Sequence, residues 1–477
     1  MSRALRAACV ACCVLISVAA PATAQVKQKS LFRGNPQPVG IARDAQGRIH
    51  LSWQSRDERL HYMLIDRGKR RDQVVDRLAG SGFNSSIAVD SAGHPHLAYH
   101  AERMDPVLRQ VLIYARFDGA WQIEELGPGG YATAIAIDAD DQPHIVHALP
   151  GGAFEYLHRD GGGWERETPP SLDSVTTTPM SLALDAAGHA HVGLEAASHR
   201  PYYATNASGE WVATELAAES ARGASLALDS LGLPRVALPL AETATIRYRR
   251  FDGANWTSED LYDPNAFSPG LENLPSGAAL ALDPNDVPRI LFTTTFSGSA
   301  PSAQWILLAF HDLVTWQLLV LATEDGGDNV GLVGGPDGSS QGVYPLLRSD
   351  SQLEKLATVA LQDLRAEWVS LSVSGTGVIR HFEGVLTLHN DGAAKARSTS
   401  LALFVSDDET LDDSDFPVKF VAGVGRGLAP GESKTLKVKF LASAGVAGKH
   451  VIGVLDPRGE VVEVNRANDV FAGLLPQ

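Results

Sequence analysis

The sequence predicts an all-β chain, a β-propeller of seven four-stranded blades followed by a small C-terminal β-sandwich. Three observations lead there. One phrase returns six times: an alternating apolar strand ending in Asp, a short turn usually containing Gly, and a second strand opening with His or Arg. Its copies lie 44 to 54 residues apart, the length of one four-stranded blade. After residue 372 that period stops and a different set of alternating strands begins.

The copies are GIARDAQGRIHLSW from Gly40, SIAVDSAGHPHLAYH from Ser86, AIAIDADDQPHIVH from Ala134, SLALDAAGHAHVGL from Ser181, SLALDSLGLPRVAL from Ser225 and ALALDPNDVPRILF from Ala279. Their turn aspartates are Asp44, Asp90, Asp138, Asp185, Asp229 and Asp283. Apolar residues alternate with period two, and β-branched or aromatic residues fill strands bounded by Gly, Asp and Pro, so these are sheet and not helix. A second theme supplies strands three and four: an aromatic strand, a Gly turn and a strand led by Trp121, Trp164, Trp211 or Trp256. A worn seventh copy starts at Val330, with Gly334 in the Asp place, followed by strands through Lys355–Leu361 and around Trp368. Six or eight blades are the alternatives. A propeller avoids open edges when strand from the other terminus completes its last blade, and Val26–Phe32 is the spare segment.

The N-terminus has the pattern of an export signal over residues 1–24: Arg3 and Arg6, an apolar run from Ala7 to Ala20, and Ala22-Thr23-Ala24 before Gln25. The propeller is then expected over 25–371 and the sandwich over 372–477. All three cysteines, Cys9, Cys12 and Cys13, fall in the signal, so the exported chain would carry no disulfide, thiolate metal site or cysteine nucleophile. They sit too early in the apolar run for a lipid-anchoring cleavage site. The net charge of −16 disfavours binding to bulk nucleic acid or anionic membranes. No later run approaches the ~20 apolar residues of a membrane helix. A secreted or periplasmic monomer without membrane insertion is expected.

The recurring residues have structural readings. Each turn Asp accepts backbone amides two residues on, which fits a turn better than a calcium cage of about six oxygens. His50, His96, His144 and His191 open strand two of separate blades and cannot converge on one ion, so hydrogen bonding within each blade is expected. Function should lie where the repeats disagree, on the face carrying the strand two–three loops and the inter-blade connections. The irregular residues there are Trp53, His61, Tyr99, His100, Arg103, Tyr131, His147, Glu195, His199 and Arg200, joined by Arg56, Tyr62, Glu102 and Tyr202. Aromatic and cationic groups of this kind can stack on sugar rings and bind hydroxyls or carboxylates.

The phrase SxAVDxxGxPHLxY with its YxxxDGxW partner resembles the sialidase-type (BNR) propeller repeats of exported bacterial proteins over about residues 38–372. That resemblance implies the fold and not the activity, because the SxDxGxxW box is absent. GRIHLSWQSRDERLHYMLI from Gly47 resembles repeats whose relatives include propeller-type polysaccharide lyases. That likeness would make His100 or His147 a base, Tyr99 or Tyr131 an acid, and Arg103 or Arg200 the neutraliser of a uronate carboxylate. HFEGVLTLHNDGAAKA from His381, LALFVSDDETLDDSD from Leu401, GLAPGESKTLKVKF from Gly427 and the closing DPRGEVVEVNRAND resemble the bacterial cell-adhesion-related domain, CARDB, an immunoglobulin-like sandwich. Alternation in VLTLHN, SLALFV, KTLKVKF and KHVIGVLD agrees with two packed sheets. Its acidic loop, Asp407, Asp408, Asp412, Asp413 and Asp415, is a calcium candidate, with a solvated charged loop the plainer reading.

The expectation is an exported, non-enzymatic binding or adhesion protein without a cofactor, recognising an extracellular carbohydrate or protein through one propeller face. The alternative is a polysaccharide-degrading lyase or glycosidase using His100, His147, Tyr99 and Arg103.

Overall fold

The computed structural model describes Val18–Ala19 and residues 25–476, apart from 35–38, 105, 162, 170–174, 177, 262–271, 298–302, 324–328, 336, 349–350, 376–377, 413 and 460. The rest of the expected signal lies outside the described residues; Val18–Ala19 makes a short parallel pairing with the outer strand of blade six.

The chain folds as a seven-bladed β-propeller followed by a two-sheet sandwich. Blades one to six each use four consecutive antiparallel strands, for example Gly40–Arg43, Ile49–Gln54, Leu60–Asp66 and Lys69–Asp76 in blade one. Blade seven is built from both ends of the propeller. Its three inner strands are Gly331–Gly334, Ser340–Arg348 and Ser351–Ala360, and its outer strand is Gln25–Gly34, paired from Gln25↔Ala360 to Gly34↔Gln352. The strand around Trp368, expected in blade seven, instead pairs as Leu364–Ser374 with Ile379–Asn390 in the sandwich. The domain boundary therefore falls near Gln362 and not at 371/372. The physical reason is occupancy: the N-terminal strand already holds the outer edge of Ser351–Ala360.

Among the described residues an apolar cluster fills each seam between neighbouring blades. The repeat writes the same latch into four blades. The turn Asp faces the strand-two His, and the His faces a strand-three Tyr: Asp44–His50–Tyr62, Asp90–His96–Tyr114, Asp138–His144–Tyr156 and Asp185–His191–Tyr203. With the Tyr hydroxyl donating to His Nδ1, Nε2–H of His50, His96 and His144 is left to donate to the carboxylate, while Nε2 of His191 stands 3.6 Å from Asp185, beyond hydrogen-bond reach. In blades five and six Arg235 and Arg289 take the His place against Asp229 and Asp283. Each Tyr then meets the Trp of the next blade edge-on, as Tyr62–Trp121 at 5.3 Å and Tyr114–Trp164 at 5.2 Å. The latch thus acts within a blade and the aromatic pair between blades.

In the sandwich, Leu364–Ser374, Ile379–Asn390 and Ser433–Ser443 form one sheet, and Phe416–Val424, Thr399–Ser406, His450–Leu455 and Val470–Leu474 the other. Leu386, Leu401, Leu403 and Val451 are buried between them. Asp408 and Asp412 accept backbone amides of their own loop, and Asp407 pairs with Lys449. Asp413 lies outside the described residues. Among the described residues no group of three or more His, Cys, Asp or Glu side chains is placed to hold a metal ion.

Candidate functional site

The first strands of the blades surround the propeller axis. Where they begin, on the face carrying the strand two–three loops and the inter-blade connections, they frame a cavity of about 590 Å³ to which all seven blades contribute. Its walls are mostly small: Gly40, Ser86, Thr133, Ser181, Ser225 and Ser276. Small residues are required here because neighbouring backbones approach closely; a Cβ on Gly40 would stand 3.0 Å from Ser85 O. Several hydroxyls are already committed to ring closure, since Ser86 Oγ accepts Ile135 N–H at 3.2 Å and Ser225 Oγ accepts Leu280 N–H at 2.9 Å.

Blade four supplies the chemically distinctive part of the mouth. Glu195 ends its second strand and is buried, with Oε2 accepting Gly223 N–H at 2.8 Å. Its Oε1 accepts Nδ1–H of His199 at 2.6 Å. His199, in the following loop, has a side chain 68% exposed and a left-handed backbone at φ 62°. A buried carboxylate thus orients an exposed imidazole, leaving Nε2 free for a ligand. Ala221 N–H donates to His199 O at 2.9 Å, which brings exposed Arg222 alongside. The Arg222 guanidinium has no side-chain partner among the described residues. Asn84, at the opposite wall, is also left-handed, at φ 47°, and its amide donates to Tyr131 O.

Of the expected site residues, Glu195 and His199 line the cavity, and exposed Tyr131 reaches it only through its backbone carbonyl, which accepts the amide of the lining residue Asn84. The others do not join them. Trp53 is buried, stacked on Phe32 of the closing strand at 4.0 Å, so it packs the ring seam. Tyr99 is buried and donates to Asp76 Oδ2 at 3.1 Å; Arg103 binds the same oxygen at 2.6 Å. His61 faces Asp72, and Arg200 pairs with Glu215 at 2.9 Å. His100 and His147 are 1% and 0% exposed, with rings 5.9 Å apart in the seam between blades two and three. His147 meets Glu155 at 3.0 Å, and burial pushes His100 down to about 3. The expected acid–base set of His100, His147, Tyr99 and Arg103 is therefore corrected: these groups are spent on packing, and neither imidazole reaches the cavity. Arg222, Asn84 and Asn329 were missed. They lie just before the repeated phrase, at the one place where every blade faces the axis.

Residues 363–473 match the CARDB family, which makes the chain a β-propeller protein carrying a CARDB domain. No curated protein matches the chain. Among solved structures it is similar to a PL25 ulvan lyase bound to -[GlcA(1-4)Rha3S]-, with 14% identity, 69% of this chain and 95% of that one covered, and TM-score 0.46. It is similar to the SapL1 lectin in complex with alpha methyl fucoside, with 15% identity, 60% and 96% covered, and TM-score 0.39. It is also similar to the Cps50 (Swd1) β-propeller domain of Myceliophteria thermophila, with 10% identity, 70% and 99% covered, and TM-score 0.46. Among the described residues no helix is long and apolar enough to cross a membrane.

Proposed function

We propose that this chain is an exported carbohydrate-binding protein that seats a glycan at the axial mouth of its propeller and uses the CARDB sandwich as a spacer or adhesion module. The observation that carries this reading is the cavity of about 590 Å³, with His199 held by Glu195 and, on the same wall, Arg222, whose guanidinium has no partner among the described residues. A concave seat with a few convergent polar groups on a rigid ring suits hydroxyl-rich ligands. The N-terminal pattern supports export, and the chain is read as a monomer without a required cofactor.

A second reading, a polysaccharide-degrading enzyme, is favoured by one feature: the carboxylate-oriented imidazole of His199 has the geometry of a general base. Both readings meet in one experiment. The purified protein is passed over immobilised polysaccharides, with His199→Asn and Arg222→Gln in parallel. Asn tolerates the left-handed backbone of residue 199. Retention on one polymer, weakened at least tenfold in both variants, supports the binding reading. A falling polymer mass supports the enzyme. Retention unchanged in both variants would refute the mouth as the seat.

A further inference from the structure

On the opposite face, at the outer rim of the seam between blades seven and one, a second cavity of about 250 Å³ is walled by Lys27, Lys29, Arg67 and Arg70 over a floor of Ile49, Ile65 and Leu356. The residues are far apart in the chain and are assembled by ring closure. Lys27 and Lys29 come from the closing strand Gln25–Gly34, and Arg67 and Arg70 from the last hairpin of blade one. Two contacts fix their convergence. Arg70 Nη1 donates to Leu31 O at 3.3 Å, across the seam. Lys29 Nζ lies over the hairpin turn, 3.3 Å from where a Cβ on Gly68 would stand.

None of these four cations has an acidic partner among the described residues, although the chain carries a net charge of −16. Like charges gathered this way repel one another, and the backbone pairing of both elements holds them together regardless. The turn adds an independent sign. Arg67 and Gly68 are the two central residues of the Asp66↔Lys69 hairpin, with φ 46° and 82°. A two-residue turn with both φ values positive favours Asn-Gly or Asp-Gly, and a long side chain there is strained. Arginine at that place projects a guanidinium at the cavity edge where a smaller residue would suit the backbone better.

We propose that this groove is a second ligand site, for the sulfate or carboxylate groups of an acidic polysaccharide. Arg67 and Arg70 offer planar donor pairs to oxyanions, Lys27 and Lys29 add point charges, and the apolar floor accepts the face of a sugar ring. The site is separate from the axial mouth and does not depend on what binds there.

The test uses the mature full-length chain with three probes of one polymer type each: dextran, dextran sulfate and polygalacturonate, titrated calorimetrically at several salt concentrations. The variants are Arg67→Gly, and Lys29→Gln with Arg70→Gln; Arg222→Gln reports on the mouth. Expected results are no binding of dextran at this site, and binding of at least one acidic polymer that weakens with salt. Each groove variant should lower that affinity at least fivefold while Arg222→Gln leaves it unchanged. Arg67→Gly should also raise the melting temperature, because it relieves the turn, so its lost affinity cannot be put down to misfolding. The sulfated and uronate arms identify which oxyanion is preferred. Acidic polymers bound equally by wild type and groove variants, or not bound by wild type, would overturn the proposal.

Discussion

Gln362 Nε2 donates to Glu463 Oε1 at 2.9 Å, joining the residue that leaves the propeller to a buried carboxyl of the sandwich. Around this bond Val462 and Val464 pack into the seam of blades six and seven, and Arg466 N–H donates to Asp312 O at 3.0 Å. The two domains therefore share a core, and the contact carries an unusual load of buried acid.

That load predicts how the junction responds to pH. Burial pushes Asp469 up to about 7 and Asp363 up to about 6, and it raises Glu463 too, with neighbouring carboxylates adding to the effect. Facing them are Arg466, whose Nε is 3.8 Å from Asp469, Asp456, and Asn468, which donates to Asp363 at 3.1 Å. In the unfolded chain these carboxyls ionise near pH 4, whereas the folded junction keeps protons to about pH 6–7. Their contribution is thus fully present below about pH 4 and is lost as pH rises through about 7. Glu463→Gln should flatten that loss in melting curves recorded from pH 4.5 to 8.

The propeller latches should have the opposite sign. Burial pushes His96 down to about 4 against the opposing pull of Asp90, and His50, His144 and His191 are lowered for the same reason. An unfolded His takes its proton near 6.5, so this stability is present above about pH 6.5 and is lost as pH falls toward 4. Tyr114→Phe, which removes the 2.7 Å bond to His96, should cost about 1–2 kcal/mol in denaturant titration at pH 7.

Closure of the ring depends on the strand Gln25–Gly34. Deleting it exposes the edge of Ser351–Ala360 and removes the Phe32–Trp53 stack, so the propeller should unfold or melt many degrees lower. Phe32→Ala alone should cost about 2–4 kcal/mol. A deletion variant with unchanged melting would contradict the closure.

Asn390 opens the Asn-Asp-Gly turn of the sandwich and is fully buried. Its Nδ2 donates to Ala394 O at 2.8 Å and Leu428 O at 2.9 Å, while Oδ1 accepts Asp363 N–H at 3.3 Å. A carboxylate has no donor for those two carbonyls, so Asn390→Asp should destabilise the sandwich by about 2–4 kcal/mol, read in denaturant titration of the full chain.

The sequence by itself determined the all-β class, the repeated blade, the turn role of its Asp and the hydrogen bonding of its His within each blade, and the sandwich with its Asn-Asp-Gly turn. These are properties of local alternation and turn chemistry, repeated often enough to stand out. That the His meets that same Asp was decided by the tertiary structure. It could also name Val26–Phe32 as a closing segment, since a ring needs one. Only the tertiary structure decided that this segment takes the outer place in blade seven and that the Trp368 strand therefore goes to the sandwich. Only the tertiary structure separated His199, exposed at the mouth, from His100 and His147, buried in a seam, although all three break the repeat in similar loops and strand ends. Their fates differ because burial is set by which neighbouring blade covers a residue. The meeting of Lys29 with Arg67, or of His199 with Arg222, likewise depends on how separate elements are brought together around a closed ring, which no local pattern encodes.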